Sequence, residues 1–154
     1  MKTPEERNLA AVRPLLAAWD ESKIGYDHFL ADDCVYELAG FPVLRDKHEI
    51  LDFLFRGGMP QIAERYGNQR LLEIRRLQVE LVHLVAQGNV VFTERIDHHF
   101  TTVGEDVLTP RIVGVMEFDV DARCTGWRDY HDPAYFLGTP SAAVPGDRKV
   151  ALVP

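Results

Sequence analysis

The chain has 154 residues, of which 24 are acidic and 17 basic, for a net charge of -7, with 46% apolar and 27% charged side chains. These are ordinary values for a globular protein, with enough chain for one real core but not two. The acidic balance argues against nucleic acid or an anionic membrane as partner, and no apolar run approaches the roughly 18 residues of a membrane span. The two cysteines, Cys34 and Cys124, are far apart and lack any zinc-ligand or disulfide-framework spacing. No signal-peptide pattern is present, so a soluble protein with free thiols in a reducing cytoplasm is expected.

The first predicted element is an amphipathic helix from Thr3 or Pro4 to about Trp19. Thr3 is its N-cap, Pro4 fits the first turn, and Glu5 and Glu6 favour the dipole. Leu9, Val12, Leu15, Leu16 and Trp19 form its apolar stripe, and Pro14 predicts a kink or break near Val12. A short second helix is expected near Tyr26 to Leu30, ending at Ala31-Asp32-Asp33. A strand over Val35 to Gly40 then places Tyr36 and Leu38 on one face. After a turn at Gly40-Phe41-Pro42, Asp46 reads as the cap of a helix through Ile50, Leu51, Leu54 and Phe55, with Glu49 at the capping-box position. Gly57-Gly58-Met59-Pro60 is expected to break it before a short helix from Gln61 to Tyr66. Leu71 to Ala86 reads as a bulged strand closed by a hairpin turn at Gln87-Gly88-Asn89.

Val90 to His99, V-V-F-T-E-R-I-D-H-H, is the most informative stretch. Its β-branched and aromatic residues alternate with period two, putting Val91, Thr93, Arg95, Asp97 and His99 on one face. An arginine and an aspartate side by side on a solvated face would be a surface ion pair of little worth. A second stretch, Gly126 to Asp132, G-W-R-D-Y-H-D, sets Asp129 between Trp127 and His131 on a core-facing side. A carboxylate buried there needs a partner, and Arg95 is the candidate. Two carboxylates bridged by one guanidinium would constitute a site. Between these stretches a strand from Leu108 to Val120 carries Ile112, Gly114, Met116 and Phe118 on one face. After Asp132-Pro133 a short helix carries Tyr135 and Phe136. The expected organisation is a single domain over residues 1 to 138 with an irregular tail over 139 to 154. Helices followed by antiparallel strands make the fold class α+β.

The sequence T-E-R-I-D followed by G-W-R-D-Y-H-D resembles the limonene-1,2-epoxide hydrolase family. The resemblance implies the cone-shaped fold of the nuclear transport factor 2-like superfamily. In that fold a strongly curved, mixed but mainly antiparallel sheet is covered by N-terminal helices around a deep apolar pocket. It further implies that Asp129 is the general base, Asp97 the acid, Arg95 the bridge between them and Tyr36 a holder of the attacking water. No metal, nucleotide or other cofactor is implied. The family's second water holder, an asparagine two residues after the tyrosine, is replaced here by Leu38. With Leu38, the residues Ile112, Met116 and Phe136 are expected to contact substrate. His99 and His131, on the faces of the acid and base, suggest a polar or oxygenated epoxide. The family also implies a homodimer formed through the exposed sheet face.

Other functions stay open at this level. Without the asparagine, the substrate's own hydroxyl could open the epoxide to give a cyclic ether. A ketosteroid-isomerase-like or polyketide-cyclase-like proton transfer, or a non-catalytic binding module, would use the same fold.

Overall fold

In the computed structural model, residues 1–19 and 23–137 are described, and the expected tail over 139–154 lies outside them. The first helix, α1 (Pro4–Ala17), begins at a full capping box: Thr3 Oγ1 accepts the Glu6 N–H at 3.2 Å and Glu6 Oε2 accepts the Thr3 N–H at 2.9 Å. Of the kink or break expected near Val12, there is no break: the helix is continuous through Pro14. Ala10, whose carbonyl loses its usual partner to Pro14, is exposed, so water can satisfy it. α2 (Lys23–Phe29) leads directly into β1 (Leu30–Leu38). Ala31-Asp32-Asp33 therefore belong to a strand rather than to a helix end. A bulge between Leu30 and Val35 turns Asp32 and Asp33 to solvent, where Asp32 meets Lys47 Nζ at 2.6 Å.

In α3 (Lys47–Asp52), Asp46 Oδ1 caps the Glu49 N–H at 2.8 Å, while the Glu49 carboxylate reaches back to the N–H of Arg45. The glycine-rich stretch that follows does not break the helix. A wide π-turn over Phe53–Gly57 passes into α4 (Gly58–Tyr66), with Pro60 in the first turn, where its missing N–H is least costly. Gly58 N–H donates to Phe53 O, and a Cβ on Gly58 would stand 2.4 Å from that oxygen, so the turn requires glycine. Gly67 ends α4 at φ +64.

A 3₁₀ turn, Gln69–Glu73, keeps Leu71 buried, and β2 (Ile74–Gln87) starts after it, three residues later than expected. β2 carries two bulges and joins β3 (Val90–Thr101) through a tight hairpin with Gly88 at φ +59. The expected strand from Leu108 to Val120 is two strands, β4 (Asp106–Leu108) and β5 (Arg111–Phe118), divided at Pro110, which has no N–H to continue a ladder. β6 (Cys124–Tyr130) ends before His131, and a 3₁₀ turn, Pro133–Leu137, follows. The sheet order is β1-β6-β5-β3-β2 with β4 beside β3; β1 runs parallel to β6 and every other pairing is antiparallel. The fold is α+β, a strongly curled mixed sheet with N-terminal helices packed against it, as expected.

Alternation sorts the sheet into an inner, buried face and an outer, wetter one. β3 follows the predicted pattern, with Val91, Thr93, Arg95, Asp97, His99 and Thr101 buried. Trp127 anchors the core, edge-on to Tyr36 and Trp19 and stacked on Tyr26, with ring centroids 5.0, 6.0 and 6.1 Å away. Both cysteines are buried and free. Among the described residues, no helix is long and apolar enough to cross a membrane.

Candidate active site

Three strands bring the ionisable groups together. In the register Thr93↔Gly114↔Asp129, Gly114 of β5 lies between a residue of β3 and one of β6. Because Gly114 has no side chain, the Arg95 guanidinium can cross β5 and reach the carboxylate two strands away. A Cβ on Gly114 would lie 2.5 Å from Thr93 Oγ1, 2.9 Å from Asp129 Oδ1 and 3.0 Å from Arg95 Nη1. Gly114 lies on the face that alternation gives it, and a glycine inside a strand is the sequence signal for such a close approach.

Arg95 Nη1 and Nη2 donate to Asp129 Oδ1 and Oδ2 at 3.1 and 2.6 Å, a two-pronged pair, while Arg95 Nε donates to Asp97 Oδ1 at 3.0 Å. Asp129 also accepts from Trp127 Nε1 at 2.8 Å, through Oδ1, and from the Tyr36 hydroxyl at 3.1 Å, through Oδ2. The Trp127 bond was not foreseen. Tyr36 and Trp127 are in register on β1 and β6, as are Leu38 and Asp129, so β1 delivers both Tyr36 and Leu38 to this end of the site.

Arg95, Asp97 and Asp129 are all at most 4% exposed. Hydrogen bonding distinguishes the two carboxyls. Asp129 accepts four hydrogen bonds, the full acceptor complement of a carboxylate, whereas Asp97 Oδ2 has no hydrogen-bond partner among the described residues. Burial pushes the Asp97 carboxyl above its ordinary value, with the Asp129 charge adding to the shift and Arg95 opposing it. Burial alone would lower the Arg95 guanidinium, but Asp129 and Asp97 together raise it. Burial and the nearby Asp129 charge raise the Tyr36 hydroxyl as well. His99 is lowered by burial, and its Nδ1 lies 2.9 Å from Asp97 O and 3.0 Å from Leu108 O. Between two carbonyl oxygens, Nδ1 carries the proton, leaving Nε2 of the neutral ring as an acceptor.

These groups line a cavity of about 410 Å³, the size of a small-molecule site. Leu38, His99, Ile112 and Phe136 lie in its wall, as does Tyr36. Two expected substrate contacts do not. Met116 shares the face of Ile112 but is wholly buried, paired in register with Trp127. His131 falls just beyond β6 and packs edge-on against Phe136, centroids 4.8 Å apart, with neither ring nitrogen hydrogen-bonded to any described residue. It is Phe136 that meets the cavity. The rest of the wall comes from the helical segment, with Phe53, Leu54, Phe55, Met59 and Ile62, and from Ile74 and Leu77 at the start of β2. No group of three or more His, Cys, Asp or Glu side chains able to hold a metal occurs among the described residues.

A family model described as the limonene-1,2-epoxide hydrolase catalytic domain matches residues 6–139. Among solved structures, an LEH-like epoxide hydrolase of M. tuberculosis is 29% identical, with a TM-score of 0.63 over 87% of this chain and 90% of that one. A candidate SnoaL-like polyketide cyclase from Jannaschia sp. CCS1 is 12% identical, with a TM-score of 0.68 over 91% and 98%. An NTF2-like protein of unknown function from Burkholderia pseudomallei K96243 is 16% identical, with a TM-score of 0.65 over 83% and 92%. These last two likenesses are of fold alone. No curated protein matches the chain significantly.

Proposed function

The chain belongs to the limonene-1,2-epoxide hydrolase family, and on that premise we propose that it adds water to a small or medium-sized epoxide in one step, giving a vicinal diol. The observation that carries this reading is the asymmetric Asp97-Arg95-Asp129 arrangement in the wall of a largely apolar cavity. Two ionised carboxylates against one guanidinium would leave a net negative charge in a dry site. A proton on Asp97 removes it, leaving one ion pair, Arg95 with Asp129. The protonated Asp97 then has a hydroxyl to give to the epoxide oxygen, and the ionised Asp129 can take a proton from water.

The reaction follows from these positions. Because all four acceptor sites of Asp129 are occupied, the attacking water enters by displacing the Tyr36 hydroxyl from Oδ2. Tyr36 turns to hold the water, which in turn donates to Asp129. As the water oxygen bonds to an epoxide carbon, its proton passes to Asp129, the carbon–oxygen bond breaks, and the Asp97 proton passes to the departing oxygen. Charge moves from Asp129 to Asp97, and Arg95, bonded to both, stabilises either end without moving.

A second reading rests on Leu38. It lines the cavity beside Asp129 and can hold no water, which favours a substrate hydroxyl as nucleophile and a cyclic ether as product. Pairing of the outer sheet faces of two copies, where Phe92, Val113 and Tyr130 are exposed, belongs to the same proposal. The test of the main reading is conversion of a panel of epoxides by the wild type and by Asp97→Asn and Asp129→Asn. Consumption by the wild type and loss of at least about a hundredfold in each variant is expected. An Asp97→Asn enzyme that keeps most of its rate would remove Asp97 as the acid and overturn the two-carboxyl mechanism.

A further inference from the structure

Along the inner face of β3, Arg95, Asp97 and His99 follow one another, and all three line the cavity. Asp129 lies at the level of Thr93, so His99 stands beyond the acid on the side away from the base. Alternate residues of a strand are roughly 6–7 Å apart, which sets the spacing between Asp97 and His99. The cavity-lining positions on the neighbouring strands and their junction, Ile74, Leu77, Pro110 and Ile112, are all apolar.

The imidazole is held in one orientation. Its Nδ1 lies 2.9 Å from Asp97 O and 3.0 Å from Leu108 O, which turns that edge of the ring to the backbone of β3 and β4 and the opposite edge, with Nε2, to the cavity. Nε2 has no hydrogen-bond partner among the described residues, yet it is not sealed in protein as both ring nitrogens of His131 are. His99 as a whole is 5% exposed. With the proton on Nδ1, Nε2 is a buried acceptor in an apolar wall, and a purely hydrocarbon substrate would leave it unpaired.

We infer that His99 Nε2 accepts a hydrogen bond from a hydroxyl of the substrate, which is a hydroxylated epoxide whose hydroxyl lies roughly 6–7 Å from the epoxide oxygen. Held beyond the acid and away from Asp129, that hydroxyl orients the epoxide and is not the nucleophile. The inference rests on the epoxide-hydrolase reading for the reactive end, but the hydroxyl site itself can be read from binding without turnover. His99 is then a specificity-determining residue.

The test uses an epoxide with a hydroxyl at that distance, its methyl ether, and unreactive analogues of both in which a cyclopropane replaces the epoxide. The wild type should favour the alcohol over the ether by about tenfold in kcat/KM, carried by KM, and should bind the unreactive alcohol more tightly than the unreactive ether by a similar factor. His99→Asn keeps an N–H for Asp97 O and Leu108 O but has no acceptor at the Nε2 position; it should lose both preferences while remaining folded by thermal unfolding. His99→Leu, which fills the space of the ring without an acceptor, should lose them too, separating hydrogen bonding from steric exclusion of the ether. Equal binding of the two unreactive analogues by the wild type, tighter binding of the ether, or a preference for the alcohol that survives in either variant would overturn the hydroxyl site. Tighter binding of the unreactive alcohol, lost in the variants, with no turnover of either epoxide would support the hydroxyl site while overturning the hydrolase reading.

Discussion

Gly114→Ala puts the geometry of the site to a demanding test. The added methyl carbon would sit 2.5 Å from Thr93 Oγ1, 2.9 Å from Asp129 Oδ1 and 3.0 Å from Arg95 Nη1, whereas ordinary contact begins at 3.4 Å. Relief requires shifts of roughly half an ångström to nearly one ångström, and every neighbour is a buried polar group already committed to hydrogen bonds. Overpacking of this kind costs about 1–3 kcal/mol, or roughly 3–10 °C in Tm for a chain of this size. The catalytic loss should be larger, because parting Arg95 from Asp129 displaces the base, and a misplacement near 1 Å costs about a hundredfold. The assays are thermal unfolding and single-turnover kinetics on the best epoxide of the panel. Thr93→Ala in the same background removes the shortest contact, so it should recover stability and leave the rate low. A Gly114→Ala enzyme within about twofold of the wild-type rate would refute the claim that this glycine makes room for the ion pair.

Trp127→Phe keeps an aromatic ring, though a smaller one, and deletes the donor 2.8 Å from Asp129 Oδ1. It should cost about 1–3 kcal/mol in urea unfolding and also lower kcat. Asp97 supplies a pH signature. Its folded-state carboxyl is raised, so between its ordinary value of 3.8 and the higher folded value the folded protein keeps a proton that the unfolded chain has released. Its stability contribution is therefore present at low pH and declines as pH rises through that window. Activity should fall over the same alkaline limb as the acid loses its proton, and Asp97→Asn should flatten this part of the stability curve, read by unfolding across pH. Leu38→Asn restores a water-holding side chain beside Asp129; product analysis should show a higher proportion of diol to cyclic ether.

The strand carrying Arg95 and Asp97 was legible because period-two alternation is a local property, and Val90 to Thr101 keeps it without interruption. Asp129 was reached by a different route, the cost of burying a carboxylate without a partner. The parallel pairing that brings Tyr36 and Leu38 to Asp129 is non-local and left no mark on sequence spacing. Missed features share one cause, in that a rule of local propensity was overruled by a tertiary arrangement. Pro14 is tolerated where its helix faces water, the Gly57-Gly58 pair makes a π-turn instead of a stop, and Pro110 divides one predicted strand in two. His131 shows how sharply register matters: the strand ends one residue short of it, and the cavity meets Phe136 in its stead. The bulge at Arg75 was anticipated only as an unplaced irregularity of β2.

The most direct test of one-step water addition is a single turnover in oxygen-18 water, with enzyme in excess over an epoxide it consumes, run beside Asp129→Asn. The expected result is a diol carrying one solvent oxygen from the first turnover, absent in the variant. An unlabelled first-turnover diol would mean that a carboxylate attacks the epoxide and forms an ester intermediate, and an unlabelled cyclic ether would mean that the substrate supplies its own nucleophile; either would contradict activation of water by Asp129.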